Sequence, residues 1–166
     1  MNVTGQFVVM GVSGCGKSSV AEELAKATGG DFLDADDFHP PANKAKMAAG
    51  IPLCDEDRWG WLDALNAELR TRSAAASPLF LACSALRKVY RGHLSAGLPS
   101  LRFLYLRGSK ELIRSRMEAR SGHFMPPALL DSQFSALEEP TDVEAVVISI
   151  DQPLDAVVEG LLKRIR

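Results

Sequence analysis

Short runs of consecutive apolar residues alternate along this chain with segments whose apolar residues recur every three or four positions. The apolar runs predict five buried strands, at residues 7–10, 32–33, 78–83, 101–106 and 146–150. The periodic segments predict helices at about 17–28, 41–49, 61–71, 111–120 and 128–137, with further helices after the third and fifth strands. Strands and helices that alternate at these lengths predict an α/β fold, a five-stranded parallel sheet with helices on both faces.

A glycine-rich segment follows the first predicted strand directly. Residues 11–18 match the pattern G-x-x-x-x-G-K-[ST], and a helix is predicted to begin at Lys17. Backbone N–H groups of such a loop point at nucleotide phosphates, and the helix N-terminus adds its positive dipole. We therefore predict that ATP is bound by the loop and the first helical turn, at Gly11, Val12, Ser13, Gly14, Cys15, Gly16, Lys17, Ser18 and Ser19.

Four charged or polar side chains carry the predicted chemistry. Lys17 would reach the β- and γ-phosphates, and the Ser18 hydroxyl would ligate Mg²⁺. Asp34 and Asp36 follow the second predicted strand, with a spacing that sends one carboxylate toward the metal and the other toward an acceptor hydroxyl. We assign Asp34 to Mg²⁺, through water, and Asp36 to the acceptor, whose proton it would take.

Composition and charge exclude several classes of protein. The chain has 166 residues, enough for one domain, and its formal net charge of −2 favours neither nucleic acid nor an anionic membrane as a partner. No signal peptide or membrane span is predicted, so we expect a cytoplasmic protein. Three scattered cysteines argue against a disulfide framework or a zinc site. Cys15 within the loop is read as a small loop residue, with redox control as the alternative.

Several separated blocks resemble the gluconate kinases, a family of P-loop kinases related to shikimate and nucleoside monophosphate kinases. The blocks are D-A-D-D-F-H-P-P-A-N-K-A-K-M at residues 34–47, with G-I-P-L-C-D-E-D-R at 50–58; C-S-A-L-R-K-V-Y-R at 83–91; G-H-F-M-P at 122–126; S-Q-F at 132–134; and L-E-E-P at 137–140. The resemblance covers the chain from the phosphate loop to about residue 140. It implies an ATP-dependent kinase that phosphorylates the 6-hydroxyl of D-gluconate to give 6-phospho-D-gluconate, and it suggests a homodimer.

A sugar acid requires cations for its carboxylate and polar groups for its hydroxyls. An arginine fork can bind a carboxylate through two parallel hydrogen bonds, which makes Arg58 the best single anchor. The residues assigned to the acceptor are Asp36, His39, Lys46, Arg58, Arg87, Lys88 and His123.

The predicted helix at 111–120 carries two arginines on one face. Arg116 and Arg120 are four residues apart, next to the break at Gly122, and they could close over the triphosphate and neutralise charge on the transferred phosphoryl group. We therefore predict one kinase domain over residues 1–166, with a mobile lid at about 110–138.

Three rival functions follow from the same loop. A regulatory GTPase would need N-K-x-D, but Lys46 stands where the aspartate should be after Asn43 and Lys44. A kinase for another small hydroxy acid, such as shikimate, stays open. So does a non-catalytic nucleotide sensor, which would need the loop but neither Asp36 nor the lid arginines.

Overall fold

The computed structural model describes residues 3–119 and 127–166. Within these ranges five strands and seven helices follow one another as β1 Gln6–Met10, α1 Lys17–Thr28, β2 Asp31–Asp34, α2 Pro41–Ala48, α3 Asp55–Thr71, β3 Leu79–Ala82, α4 Lys88–Ser95, β4 Arg102–Arg107, α5 Lys110–Glu118, α6 Pro127–Ala136, β5 Ala145–Ser149 and α7 Leu154–Ile165. Among the described residues, no helix combines the length and the apolar character needed to cross a membrane.

The strands form one sheet in the order β2-β3-β1-β4-β5, and every neighbouring pair is parallel. In register, Phe7 of β1 lies between Phe80 of β3 and Arg102 of β4. This arrangement confirms the predicted parallel sheet. Because ligands of such sheets bind beyond the carboxyl ends of the strands, the loops after β1, β2 and β3 form the candidate site.

The hydrophobic core lies on both faces of the sheet, because successive side chains of a strand point in opposite directions. Phe7 and Val9 of β1 pack in a cluster with residues of α1 and α7. Val8 and Met10 pack in a second cluster with residues of α3 and α4. All four side chains are at most 1% exposed, so β1 is the buried centre of the domain and holds the loop that follows it.

Helix α3 begins six residues earlier than the apolar repeat predicts, at Asp55 rather than Trp61. Its first turn is acidic, which suits the positive end of the helix dipole, and Asp57 accepts a hydrogen bond from the Cys54 backbone N–H over 3.0 Å. The apolar repeat could not predict this turn, because its first three side chains, Asp55, Glu56 and Asp57, are acidic.

The candidate active site

A single large cleft lies beyond the carboxyl ends of β1, β2 and β3, with a volume of about 1,090 Å³. Its walls come from the phosphate loop, the segment after β2, the start of α3 and helix α6. Of the predicted site residues, those that line it are Ser13, Gly14, Lys17, Ser18, Asp34, Asp36, His39, Arg58 and Arg87. The structure therefore brings residues from four separate parts of the chain to one cavity.

The loop after β1 has the tight backbone that phosphate binding requires. Gly14 and Gly16 have φ angles of +84° and +95°, in the left-handed region that favours glycine. A Cβ atom on Gly14 would also lie 2.6 Å from Sδ of Met117 on α5. Lys17 Nζ donates to the Val12 carbonyl over 3.2 Å, so the lysine side chain curls back over the loop. Because Met117 lies this close to Gly14, helix α5 packs directly against the loop.

Ser18 and Asp34 meet at the base of the cleft. The Ser18 hydroxyl donates to Asp34 Oδ2 over 3.3 Å, and Asp34 Oδ1 accepts the Asp36 backbone N–H over 2.9 Å. This second bond begins a short 3₁₀ turn at Ala35–Phe38 that carries Asp36 into the cleft. A hydroxyl beside a carboxylate oxygen is a donor set that suits Mg²⁺. Within residues 3–119 and 127–166 no group of three or more His, Cys, Asp or Glu residues could hold a metal, and Mg²⁺ typically keeps several water ligands.

Asp36 is exposed to the cleft. Partial desolvation by the cleft walls, and then the negative charge of Asp34, raise the pKa of Asp36 above its usual value. The positive charge of Lys17 acts in the opposite direction. A carboxylate with a raised pKa accepts a proton more readily, which suits a group placed to take one from a hydroxyl.

His39 is buried beside Asp36, and its ring stacks on Trp61 with centroids 4.0 Å apart and planes inclined by 15°. Burial, and then the positive charge of Arg58, lower the pKa of His39 to about 4. The ring is therefore neutral at physiological pH. Its Nε2 atom lies 3.9 Å from Asp36 Oδ1, so the two side chains face the same part of the cleft.

The low pKa of His39 predicts a loss of stability in mild acid. The unfolded histidine binds a proton below its usual pKa of 6.5, whereas the folded one does so only near 4. The unfolded state therefore gains protons first, and we expect this residue to lower the free energy of unfolding by about 2 kcal/mol between pH 8 and pH 5. Asp57, with a pKa of about 2, stays ionised over that range. Urea unfolding of the wild type and His39→Gln at both pH values measures the difference, and equal pH dependence in the two proteins would contradict the assignment.

Arg58 and Arg87 line the cleft near the ring of Tyr90. The guanidinium carbon of Arg58 lies 5.0 Å from the ring centroid, and Arg58 Nη2 donates to the Leu53 carbonyl over 3.2 Å. Its Nε atom is buried and has no hydrogen-bond partner in the described structure. Arg87 is held by Asp55, with Nη1 3.0 Å from Oδ2. Arg87 is therefore paired with a carboxylate, whereas no ion pair of Arg58 is found among the described residues.

Two of the predicted acceptor residues do not line the cleft. Lys46 is not among the residues that line the cleft, because Asp57 holds its ammonium group at 2.8 Å. Lys88 is also absent from the lining and is largely exposed, with Nζ 3.9 Å from Glu144. Each lysine lies beside a carboxylate on a neighbouring element, and sequence spacing alone could not reveal those pairs.

The structure describes only part of the segment predicted as a lid, residues 110–119 and 127–138. Arg116 lies near the end of α5 and is not among the residues that line the cleft, although Met117 next to it contacts the phosphate loop. Arg120 and His123 lie outside the described residues. Lys110 of α5 pairs with Asp131 of α6 at 2.9 Å, which ties the two helices together.

Sequence reasoning gave no role to Gln133, which the structure places at the cleft. Its Oε1 atom accepts hydrogen bonds from the backbone N–H and the hydroxyl of Ser13, at 3.2 and 3.3 Å. Helix α6 therefore reaches the phosphate loop directly. The S-Q-F block that contributed to the family resemblance was the available signal, but the pairing with a residue 120 positions away was not predictable from it.

Cys15 is buried within the loop, and burial raises the pKa of its thiol above the usual value. A reactive cysteine needs an exposed thiolate, so the structure does not favour redox control at this position.

The loop after β3 is held by hydrogen bonds from Arg91, whose side chain is 7% exposed. Arg91 Nη1 donates to the carbonyls of Ala85 and Leu86 at 2.8 and 3.2 Å, and Nη2 donates to the Glu138 carbonyl at 3.0 Å. Ala85 has a φ of +47°, which an alanine rarely adopts. Arg91 therefore joins a strained loop at the cleft to the chain that follows α6.

Replacing Arg91 tests this support. Arg91→Met keeps much of the side-chain volume but removes a buried charge and three hydrogen bonds to carbonyls, of which, in the described structure, only that of Leu86 keeps another donor, the Glu138 backbone N–H, and we expect the free energy of unfolding to fall by about 3 kcal/mol. Chemical denaturation measures it. Arg70→Met is the matched control, because the exposed Arg70 also donates to a carbonyl, that of Ala96. A loss in Arg91→Met no larger than in the control would contradict the role.

The fold and the cleft together define a P-loop kinase, because one cavity is lined by a phosphate loop, an acidic side chain and an arginine. No protein-family model matches the chain. Curated proteins do match it. The thermoresistant gluconokinase of Escherichia coli is 44% identical over 162 residues, which cover 96% of this chain and 93% of that protein.

Solved structures agree with this relationship. A gluconokinase from Sinorhizobium meliloti superposes with a TM-score of 0.90 at 43% identity, covering 99% of this chain and 95% of that one. The shikimate kinase of Acinetobacter baumannii shares the fold, with a TM-score of 0.63 at 16% identity over 98% of this chain and 93% of that one. The chain belongs to the gluconokinase family.

Proposed function

We propose that this chain catalyses transfer of the ATP γ-phosphoryl group to the 6-hydroxyl of D-gluconate, giving 6-phospho-D-gluconate and ADP. One observation carries the proposal. One cleft is lined by the phosphate-loop residues Lys17 and Ser18, by the Asp36 carboxylate and by Arg58. The family relationship supplies the identity of the sugar acid, and the gluconokinases of Escherichia coli and Sinorhizobium meliloti bear that activity in their names.

Lys17 and the loop N–H groups would bind and orient the triphosphate. Lys17 Nζ would leave the Val12 carbonyl for the β- and γ-phosphate oxygens, where its charge offsets the negative charge of the transferred group. Ser18 and Asp34 would hold Mg²⁺, which when bound supplies charge neutralisation between the phosphates. Phosphoryl transfer needs mainly positioning and electrostatic stabilisation, and the residues around the loop supply both.

Asp36 would hold the acceptor hydroxyl and take its proton as the oxygen attacks. Its carboxylate lies on the turn directly after Asp34, so the acceptor is placed next to the phosphate end of the cleft. Arg58 would bind the gluconate carboxylate at the far end. A guanidinium can form the two parallel hydrogen bonds of an arginine–carboxylate pair through its two Nη groups. Arg87 adds positive charge beside it.

We also propose that α5, α6 and the segment between them form the lid predicted at about 110–138. Ser13 and Gln133 already connect α6 to the phosphate loop, and Met117 connects α5 to it. Arg116, Arg120 and His123 keep the roles predicted from the sequence: the arginines on the triphosphate and the histidine on the acceptor. Closure would exclude the water that otherwise hydrolyses ATP.

The proposal includes a cytoplasmic homodimer without a nucleic-acid or membrane partner. The family resemblance supports the dimer. The net charge of −2 supports the absence of a polyanionic partner. Light scattering after size-exclusion chromatography measures the assembly directly, and a monomer at micromolar concentration would contradict the dimer.

The experiment that tests the function is ADP release from Mg·ATP with a panel of acceptors: D-gluconate, other aldonates, shikimate and nucleoside monophosphates. Saturable turnover with D-gluconate and with no other panel member is the expected result. Turnover with shikimate instead would keep the kinase mechanism and overturn the acceptor. No turnover with any acceptor, with ATP still bound, would favour a nucleotide sensor.

A further inference from the structure

The proton on the neutral His39 ring can be located from its hydrogen-bond partners. The Asn43 side-chain nitrogen lies 2.7 Å from the Asp57 backbone carbonyl and 3.2 Å from His39 Nδ1. A carbonyl oxygen only accepts hydrogen bonds, so the atom of Asn43 that faces it must be the NH₂ group. The same NH₂ group faces His39 Nδ1 and can only donate to it. His39 Nδ1 therefore carries a lone pair, and the proton of the neutral ring is on Nε2.

The ring is held in this orientation by its neighbours. His39 is 6% exposed and stacks on Trp61, and the Trp61 indole N–H is itself fixed by a 2.7 Å hydrogen bond to the Ala35 carbonyl. Turning the ring over would exchange Nδ1 for a carbon atom and leave an Asn43 N–H without its acceptor. A buried donor without an acceptor is unfavourable, so the observed orientation is preferred.

The Nε2–H group faces the acceptor end of the cleft. It lies 3.9 Å from Asp36 Oδ1, and both residues line the cavity. A hydroxyl oxygen about 2.8 Å from each of these atoms would form roughly a right angle between them, which allows it to accept from His39 while it donates to Asp36. A hydroxyl group both accepts and donates hydrogen bonds, so a site with the His39 N–H donor on one side and the Asp36 carboxylate acceptor on the other suits it.

We propose that Asn43 is a positioning residue that holds His39 as the Nε2–H tautomer, so that His39 donates a hydrogen bond to a hydroxyl oxygen of the polyol acceptor and takes no proton from it. This proposal rests on the proposed function for the identity of the acceptor. It leaves Asp36 as the group that receives the proton. The low pKa of His39 agrees with it, because a cationic ring would need a proton on Nδ1, where the Asn43 NH₂ group already points.

Nitrogen-15 NMR of the wild-type protein at neutral pH tests the tautomer directly. The two ring nitrogens have clearly separated chemical shifts according to whether they carry a proton, and the chain has only three histidines, so the missing signals in His39→Gln assign the residue. We expect His39 Nε2 to be protonated and Nδ1 to be unprotonated. The opposite pattern, a doubly protonated ring or an average of the two tautomers would overturn the proposal.

Asn43→Asp tests the role of the amide. A carboxylate at this position can only accept, so His39 Nδ1 should gain a proton, and we expect kcat/KM for D-gluconate to fall about tenfold or more while KM for Mg·ATP changes less than about twofold. Asn66→Asp is the matched control. Asn66 is another buried amide that donates to two carbonyls, those of Leu94 and Ala96, but it is remote from the cleft. It should lose stability and keep the wild-type His39 signals.

The outcomes separate this inference from the proposed function. If Asn43→Asp leaves the His39 signals and kcat/KM at their wild-type values, the positioning role is wrong even though the kinase is active. If Asn43→Asp does not fold, the wild-type spectrum alone decides the tautomer. If the wild-type spectrum is as expected but no acceptor is phosphorylated, the proposed function fails and the tautomer assignment holds.

Discussion

Asp36→Asn is expected to lower kcat for gluconate phosphorylation by about 10³-fold while the dissociation constant for Mg·ATP stays within about twofold of the wild-type value. The side chain lines the same cleft as the phosphate loop and Arg58, and its carboxylate is the group we assign to receive the hydroxyl proton. Asparagine has almost the same shape but cannot take a proton at neutral pH. The substitution therefore removes the proton acceptor and leaves the nucleotide contacts in place.

Asp37→Asn is the matched control for this experiment. Asp37 is the next residue in the same 3₁₀ turn and is exposed, but it does not line the cleft. Steady-state kinetics and titration calorimetry with a non-hydrolysable ATP analogue give the two constants. If Asp36→Asn keeps more than about a tenth of the wild-type kcat, Asp36 positions the hydroxyl without receiving its proton. If it loses ATP affinity instead, Asp36 belongs to the nucleotide site.

The second large effect is expected at Arg58. Arg58→Lys keeps the positive charge but removes the fork, and we expect KM for D-gluconate to rise about 10- to 100-fold, with KM for Mg·ATP unchanged. The physical reason is the loss of one of two parallel hydrogen bonds to the substrate carboxylate, together with the contact between the guanidinium and Tyr90.

Arg72→Lys provides the control, because Arg72 lies at the other end of α3 in an ion pair with Glu68 and is remote from the cleft. Initial rates at saturating ATP and varied gluconate give the comparison. A normal KM for gluconate in Arg58→Lys would show that another cation binds the carboxylate, and Arg87 would then be the next residue to replace.

Much of the fold was predictable because its signals are local. Five apolar runs gave the strands, and glycines such as Gly29 marked the helix ends. The start of α3 was wrong by six residues, since the acidic turn at Asp55–Asp57 has no apolar side chain in the periodic pattern. Carboxylates are favoured at helix N-termini, so the three acidic residues could have indicated where α3 begins. A search for apolar periodicity alone does not detect them.

The site was predictable where its residues belong to a contiguous motif or follow a strand directly. Ser18 and Asp34 met as expected, because parallel strands bring their carboxyl ends to one edge of the sheet. Lys46 and Lys88 were assigned as cations for a sugar acid, and each has a carboxylate beside it, Asp57 on α3 and Glu144 before β5. Gln133 and the orientation of Asn43 depend on contacts between distant segments, which a single sequence does not reveal.

The most direct test of the central claim is phosphorus-31 NMR of the reaction product formed from Mg·ATP and D-gluconate. A phosphate ester on the terminal hydroxyl couples to the two protons of a methylene group, whereas an ester on any other hydroxyl couples to one. The account predicts a gluconate-dependent ester signal split by two equivalent or nearly equivalent protons, formed in equal amount with ADP. A signal split by one proton, or ADP accompanied only by inorganic phosphate, would contradict it.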